Sequence, residues 1–206
     1  MKKILALLMT MLLIVPAAVS ADNLEKARKK EYKTKLKEYK KGGWEVLGSR
    51  SMEYSLAAHY DRLNKLGADG HDVEGIGNAK SKNIAKQMAT NNAAITYAQE
   101  AGSTLQGRVV ADMSANGVDP SAEFDNFYAA YERLVEKEIR NELEPSFSVI
   151  RSNPDGTFEV RSYFIVEESA ASRARQRALE EALKNSETAG KLGNKISEFV
   201  KQGFDK

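Results

Sequence analysis

The stretch Gly70–Ala101, GHDVEGIGNAKSKNIAKQMATNNAAITYAQEA, couples a glycine-bearing segment to an alanine-periodic one, and this pairing decides the fold. Asp69–Gly77 carries apolar residues at Val73 and Ile76 and glycines at 70, 75 and 77, which predicts a short, irregular strand. Ser81 opens a helix running to about Ala101 and closed by Gly102. Its alanines, Ala85, Ala89, Ala93, Ala94, Ala98 and Ala101, favour helix and allow a neighbouring element to come close. Gly75-Ile76-Gly77 has the opening spacing of a dinucleotide-binding fingerprint, but Lys80 stands where the third glycine belongs. The better reading is steric: the glycines let the strand approach the alanine helix.

Downstream, Leu105, Val109, Val110 and Met113 are apolar without a decisive period, and Gly107 with the β-branched pair tilts them towards strand. Asn116–Pro120 reads as a turn, and Ser121 caps a helix reaching Leu143 whose buried face is Phe124, Phe127, Tyr128, Tyr131, Leu134, Val135 and Ile139. Phe147, Val149 and the segment Thr157–Val166 flank Asn153-Pro154-Asp155-Gly156, where proline presets φ and glycine accepts a positive one. An antiparallel hairpin follows, with Phe158, Val160, Phe164 and Val166 on one buried face and Glu159, Arg161 and Tyr163 on the other. A helix from about Ser169 to Lys184 and a second helical piece ending near Gln202 complete the chain, interrupted at Gly190 and Gly193.

Upstream, Leu24, Ala27, Tyr32, Leu36 and Tyr39 fall at helical spacing among lysines and glutamates up to Gly42-Gly43, giving an amphipathic helix with a thin apolar stripe. Trp44, Val46 and Leu47 form a short apolar cluster. Ser49 or Ser51 caps a helix from about Met52 to Leu66, with Met52, Leu56, Tyr60, Leu63 and Leu66 on one face and Gly67 as its stop. The expected fold class is α+β: helices packed on one face of a small, largely antiparallel sheet, with amphipathic helices at both ends of the mature chain.

Lys2 and Lys3, the apolar run Ile4–Val15, and Val19-Ser20-Ala21 before Asp22 have the form of a secretory signal cleaved after Ala21. The domains expected are the signal peptide at 1–21, a basic helical arm at 22–43, and a single α+β domain at 44–206 ending in a helical tail. The location expected is the periplasm or the outer-membrane periphery. Asp22 at the cut leaves no cysteine for lipidation, and the chain has no cysteine and hence no disulfide. The net charge of +2 hides an asymmetry. Residues 22–41 hold nine Lys/Arg against four Asp/Glu, while the rest of the mature chain is acidic.

Few constellations point to chemistry. His59 falls beside the Tyr60 stripe and reads as a helix-surface residue, whereas His71, Asp72 and Glu74 alternate across a strand instead of converging on a metal. Glu132 with Glu136, and Glu138 with Glu142, are interleaved with Arg133, Lys137 and Arg140, as on a solvated helix face. Arg173, Arg175 and Arg177 against Glu180 and Glu181 read the same way. No nucleophile has an adjacent base in the sequence, so no catalytic residue, metal or cofactor is expected. A hydrolase using Glu132 or Glu136 is the remote alternative.

Gly75-Ile76-Gly77, the helix carrying Ala85, Ala89, Ala93, Ala94 and Ala98, Leu105-Gln106-Gly107, the helix into Leu143, and the strand Thr157–Val166 after Asp155-Gly156 carry a family pattern. Over roughly residues 70–170 the chain resembles the LPP-twenty lipoprotein-like proteins, related to the N-terminal domain of the flagellar assembly protein T. The resemblance implies a compact α+β domain on a bacterial cell-envelope protein without established enzymatic activity. This chain departs from the family in lacking the lipidated cysteine.

The function expected is therefore an exported envelope protein acting as a non-enzymatic interaction or assembly module, with an envelope protein partner or self-association through the arm. Leu24, Tyr32, Leu36, Tyr39 and Trp44 are its candidate interaction residues. The alternative is a periplasmic binding protein for anionic lipid, polysaccharide or a small ligand, in peripheral contact with a membrane. It would use Lys29, Lys30, Lys33, Lys37 and Lys40. Nucleic acid is not an expected partner of an exported chain.

Overall fold

In a computed structural model, residues 21–116 and 122–204 are described. The segment through Ser20 expected to be an export signal, the turn at 117–120 and the expected Ser121 cap lie outside the described residues. The elements in order are α1 (Ala21–Lys41), β1 (Glu45–Val46), α2 (Met52–Leu66), β2 (Gly70–Ala79), α3 (Lys82–Ala115), α4 (Ala122–Ile139), β3 (Glu144–Ser152), β4 (Phe158–Glu167), α5 (Glu168–Lys184), α6 (Glu187–Lys191) and α7 (Gly193–Lys201). The four strands form one antiparallel sheet in the order β1-β3-β4-β2. The fold is α+β, as the sequence implies.

Local chemistry explains most boundaries. The Ser51 side chain accepts the Tyr54 amide at 3.1 Å to cap α2, and Gly67, at φ 61°, ends it. Gly156, at φ 80°, closes the β3–β4 hairpin, where Asp155 Oδ1 accepts the Thr157 amide at 2.9 Å.

β2 packs closely on α3. A methyl group built on Gly75 would lie 2.5 Å from the Ala93 nitrogen, and one on Gly77 would lie 2.6 Å from the Ala89 nitrogen. The strand thus runs against the helix backbone itself, and Ala85, Ala89 and Ala93 are fully buried beneath it. Asn92 Nδ2 adds a 2.7 Å hydrogen bond to the Ile76 carbonyl. The steric reading of these glycines holds.

Two expectations are corrected here. The helix does not stop at Gly102, because α3 runs 34 residues, and Leu105, Val109 and Met113 continue its buried face. Gly102 is where α4 comes close: a Cβ there would meet the Glu132 side chain at 3.3 Å. The β-branched pair lowers helix propensity by only tenths of a kcal/mol per residue, which burial against α4 outweighs. The hairpin also has no open face. Phe164 and Val166 enter the core shared by α3, α4, α5 and α7, while Tyr163 and Ile165 on the other side enter a second core with Tyr39, Trp44, Leu56, Tyr60 and Leu63. Helices therefore cover both faces: α3 with α4 and α5 on one, α1 and α2 on the other.

Candidate functional site

The arm helix α1 is fastened to the body from Arg28 to Tyr39. Arg28, only 8% exposed, donates to the carbonyl oxygens of Leu63 (2.5 Å), Gly67 (2.8 Å) and Gly70 (3.3 Å). These carbonyls lie at and just beyond the C-terminal end of α2, which lacks intrahelical donors and attracts a cation. Burial pulls the Arg28 pKa below its ordinary value, against the pull of Glu31 and Asp72 in the other direction. Lys35 lies 3.7–3.9 Å from Glu31, Asp72 and Glu74 and 4.3 Å from the centre of the Tyr163 ring. The Tyr39 and Tyr163 hydroxyls share a hydrogen bond, and burial pushes Tyr39 up to about 12. Trp44 is held between Arg151 and Arg161 at 4.7 and 4.8 Å. Arg28→Ala should cost about 2 kcal/mol by removing its hydrogen bonds to three carbonyl groups. Hydrogen exchange should report the loss first in the amides of α1.

The candidate interaction residues are thus spent within the chain. Tyr39 and Trp44 are buried, Tyr32 and Leu36 pack against the same core, and Leu24 is partly buried. The candidate anion contacts lie on the opposite side. Lys29, Lys30, Lys33, Lys37 and Lys40 are all exposed, and of these only Lys40 has an ion-pair partner among the described residues, Glu53 at 2.5 Å. At about 100° per residue, positions 26, 29, 30, 33, 37, 40 and 41 fall within an arc of about 120°. All seven are lysine, and the first turn adds only Asp22 and Asn23 to the same arc.

The remaining candidates are tied up in packing. His71 Nε2 hydrogen-bonds Glu168 Oε2 at 2.7 Å, while Asp72 and Glu74 point through the other sheet face towards Lys35, so the strand separates the three. Glu136 pairs with Arg140 at 2.5 Å, Glu138 and Glu142 bind Arg177 at 2.6 and 3.0 Å, and Glu132 covers Gly102. Among the described residues no helix is long and apolar enough to cross a membrane.

Two polar residues overturn their sequence readings. Arg175 is 2% exposed rather than solvated: it binds Glu168, and it donates to the Tyr97 hydroxyl at 2.5 Å. Its position was legible, being four residues after Ala171 and three before Ala178 on the alanine stripe of α5. His59 is 1% exposed rather than on the helix surface. It lies seven residues after Met52 and four before Leu63, on the buried stripe of α2.

His59 has two polar neighbours from distant elements. Its Nδ1 lies 2.9 Å from Ser146 Oγ, and its Nε2 lies 3.3 Å from Asp72 Oδ1. Tyr60, Phe147 and Tyr163 hold the ring edgewise at 5.2–5.7 Å. Ser146 sits at the register shift of β3 between Pro145 and Phe147 and has no cross-strand partner. That bulge turns it towards a cleft of about 460 Å³ between α2, the β1–α2 loop and β3. Ser55, one turn before His59, lines the same cleft with a buried hydroxyl that has no hydrogen-bond partner.

Comparison of the chain with protein-family models, with curated proteins and with solved structures found no match.

Proposed function

We propose that this is an exported cell-envelope protein that rests against an anionic surface of lipid headgroups through the lysine face of α1. One observation carries the reading: the side of α1 opposite its anchored face presents seven lysines against a single carboxylate, Asp22 in the first turn. Like charges one turn apart repel by tenths of a kcal/mol per pair, a cost that an anionic surface turns into attraction. The apolar stripe of α1 is occupied by the chain's own core, so the contact is electrostatic and peripheral rather than an insertion of the helix into acyl chains. The stripe is equally withheld from a protein partner, which favours surface binding over assembly through the arm. Lysine suits this role, being a mobile point charge without the planar fork of arginine, and the one arginine of α1 is buried. The form of the N-terminal segment and the family resemblance support export.

Co-sedimentation with vesicles tests the reading. The protein should bind phosphatidylglycerol-containing vesicles at low salt, ignore phosphatidylcholine vesicles, and dissociate as ionic strength rises past the screening range. With about 1 kcal/mol per lysine, the triple substitution Lys30→Gln, Lys33→Gln, Lys37→Gln should weaken binding about 100-fold while leaving thermal unfolding unchanged. Equal binding to neutral vesicles, or indifference to salt, would refute it. Preferential capture by a soluble polyanion such as dextran sulfate would move the ligand from lipid to polysaccharide.

A further inference from the structure

Independently of the lysine face, we propose that Ser146, His59 and Asp72 are the nucleophile, general base and orienting carboxylate of an ester-hydrolysing site that opens into the cleft beside α2. Ser146 Oγ and His59 Nδ1 are at the 2.9 Å separation that general-base activation of a hydroxyl requires. Asp72 Oδ1 lies 3.3 Å from the other ring nitrogen, which is buried and makes no aligned hydrogen bond in this structure; a small turn of the carboxylate would hold a proton on Nε2 and leave the Nδ1 lone pair directed at the serine. The ring is presented in the reverse sense to the usual triad, with the same division of labour. Three aromatic side chains fix its plane. The charged and titratable groups around it are Asp72 from β2, Tyr163 from β4, Tyr60 on α2 itself and, across Asp72, Lys35 from α1.

The chemistry balances without an added reactant other than water. Ser146 Oγ attacks the acyl carbonyl carbon while its proton moves to His59 Nδ1. The negative oxygen of the tetrahedral species accepts a hydrogen bond from the unpartnered Ser55 hydroxyl in the same cleft. Breaking the bond from that carbon to the alkoxy oxygen releases the alcohol, which leaves with the proton from His59. Water then attacks the acyl-serine and gives a proton to His59. The carboxylic acid departs as Ser146 recovers its proton from the imidazolium. The cleft also selects among esters. Arg50 lines it with no acidic partner among the described residues, whereas Arg62 is paired with Glu144. A small ester with an anionic far end, its chain lying along Val46 and Phe147, fits these walls.

The purified protein should hydrolyse 4-nitrophenyl hydrogen succinate faster than 4-nitrophenyl acetate. Ser146→Ala should lower both rates more than 100-fold, and Arg50→Gln should abolish the preference between them. Because the chain has no cysteine, Ser146→Cys creates a unique thiol. Paired with His59, that thiol should be alkylated by iodoacetamide at pH 6, well below the ordinary thiol range near 8.5. Adding Asp72→Asn should return the pH profile towards that of a free thiol, a readout that a merely structural aspartate would not move. Undiminished hydrolysis by Ser146→Ala, or an ordinary thiol profile insensitive to Asp72, would overturn the assignment. A lowered thiol profile without turnover of either ester supports the nucleophile–base pair and overturns the assigned substrate class.

Discussion

Gly75→Ala should destabilise the folded chain by about 3 kcal/mol, read as a lowered urea midpoint at unchanged slope. The added methyl would be driven into the Ala89 carbonyl oxygen and within 2.5 Å of the Ala93 nitrogen. Neither neighbour is a flexible side chain that can turn aside; both are backbone atoms of a continuous helix. Relief requires β2 to move away from α3, which would open contacts around Ala85, Ala89 and Ala93, all fully buried. Gly77→Ala should behave alike, since its methyl would meet the Ala85 carbonyl oxygen and the Ala89 nitrogen. Gly107→Ala is the control of opposite sign. It lies on the exposed side of α3 with nothing within 4 Å of the new methyl, so helix propensity alone should stabilise the chain by about 0.5–1 kcal/mol. Destabilisation by Gly107→Ala equal to that of Gly75→Ala would refute the close-approach account.

Arg175→Met should cost about 3 kcal/mol, the low end of what is lost when one partner of a buried ion pair is removed, because Glu168 keeps some solvent contact. Arg175 organises the end of the molecule where α3, α5 and the C-terminal residues meet. Besides Glu168 and Tyr97 it supports the Phe204 ring at 5.3 Å, and that ring also packs on Tyr97 at 5.2 Å and His71 at 6.2 Å. Its loss should therefore release the last residues to proteolysis before the body unfolds. Adding Glu168→Gln should restore part of the stability, since the stranded carboxylate is then gone, and a double-mutant cycle would measure the coupling. The same pair shapes the acid limb. Burial alone would raise the Glu168 pKa, but hydrogen bonds from His71 and Arg175 outweigh it and hold the carboxyl below its ordinary 4.5. The stabilisation from Glu168 is thus complete above about pH 4.5 and drains away as pH falls through the depressed value. Glu168→Gln should flatten that limb.

The parts of the fold legible in the sequence are those set by local pattern. The α2 cap and stop, the hairpin turn at Asn153–Gly156 and the aromatic stripe of α4 each follow from a few neighbouring residues, and each is where the pattern puts it. The error at Gly102 has a physical origin. Glycine signals both a helix stop and a close helix contact, and only the position of Glu132 on α4 decides between them. The second covered face of the sheet was also illegible. Tyr163 alternates with Phe164 in the manner of an outward residue, and it becomes inward only because α1 folds back to place Tyr39 against it. The lysine row, by contrast, is written into the period of α1.

The sequence by itself determined the α+β class, the steric marriage of the glycine strand to the alanine helix, and the sorting of α1 into apolar and lysine sides. Periodicity suffices for these because it records which residues share a face. It does not record what that face meets. The tertiary structure alone decided that Arg28 would close the end of α2, that Arg175 would be buried, and that Ser146 would meet a histidine 87 residues away with Asp72 behind it. A lone serine or histidine has no local signature of catalysis. Its chemistry depends on groups brought within 3–4 Å by chain-distant packing, and only the folded sheet with helices on both faces supplies that proximity.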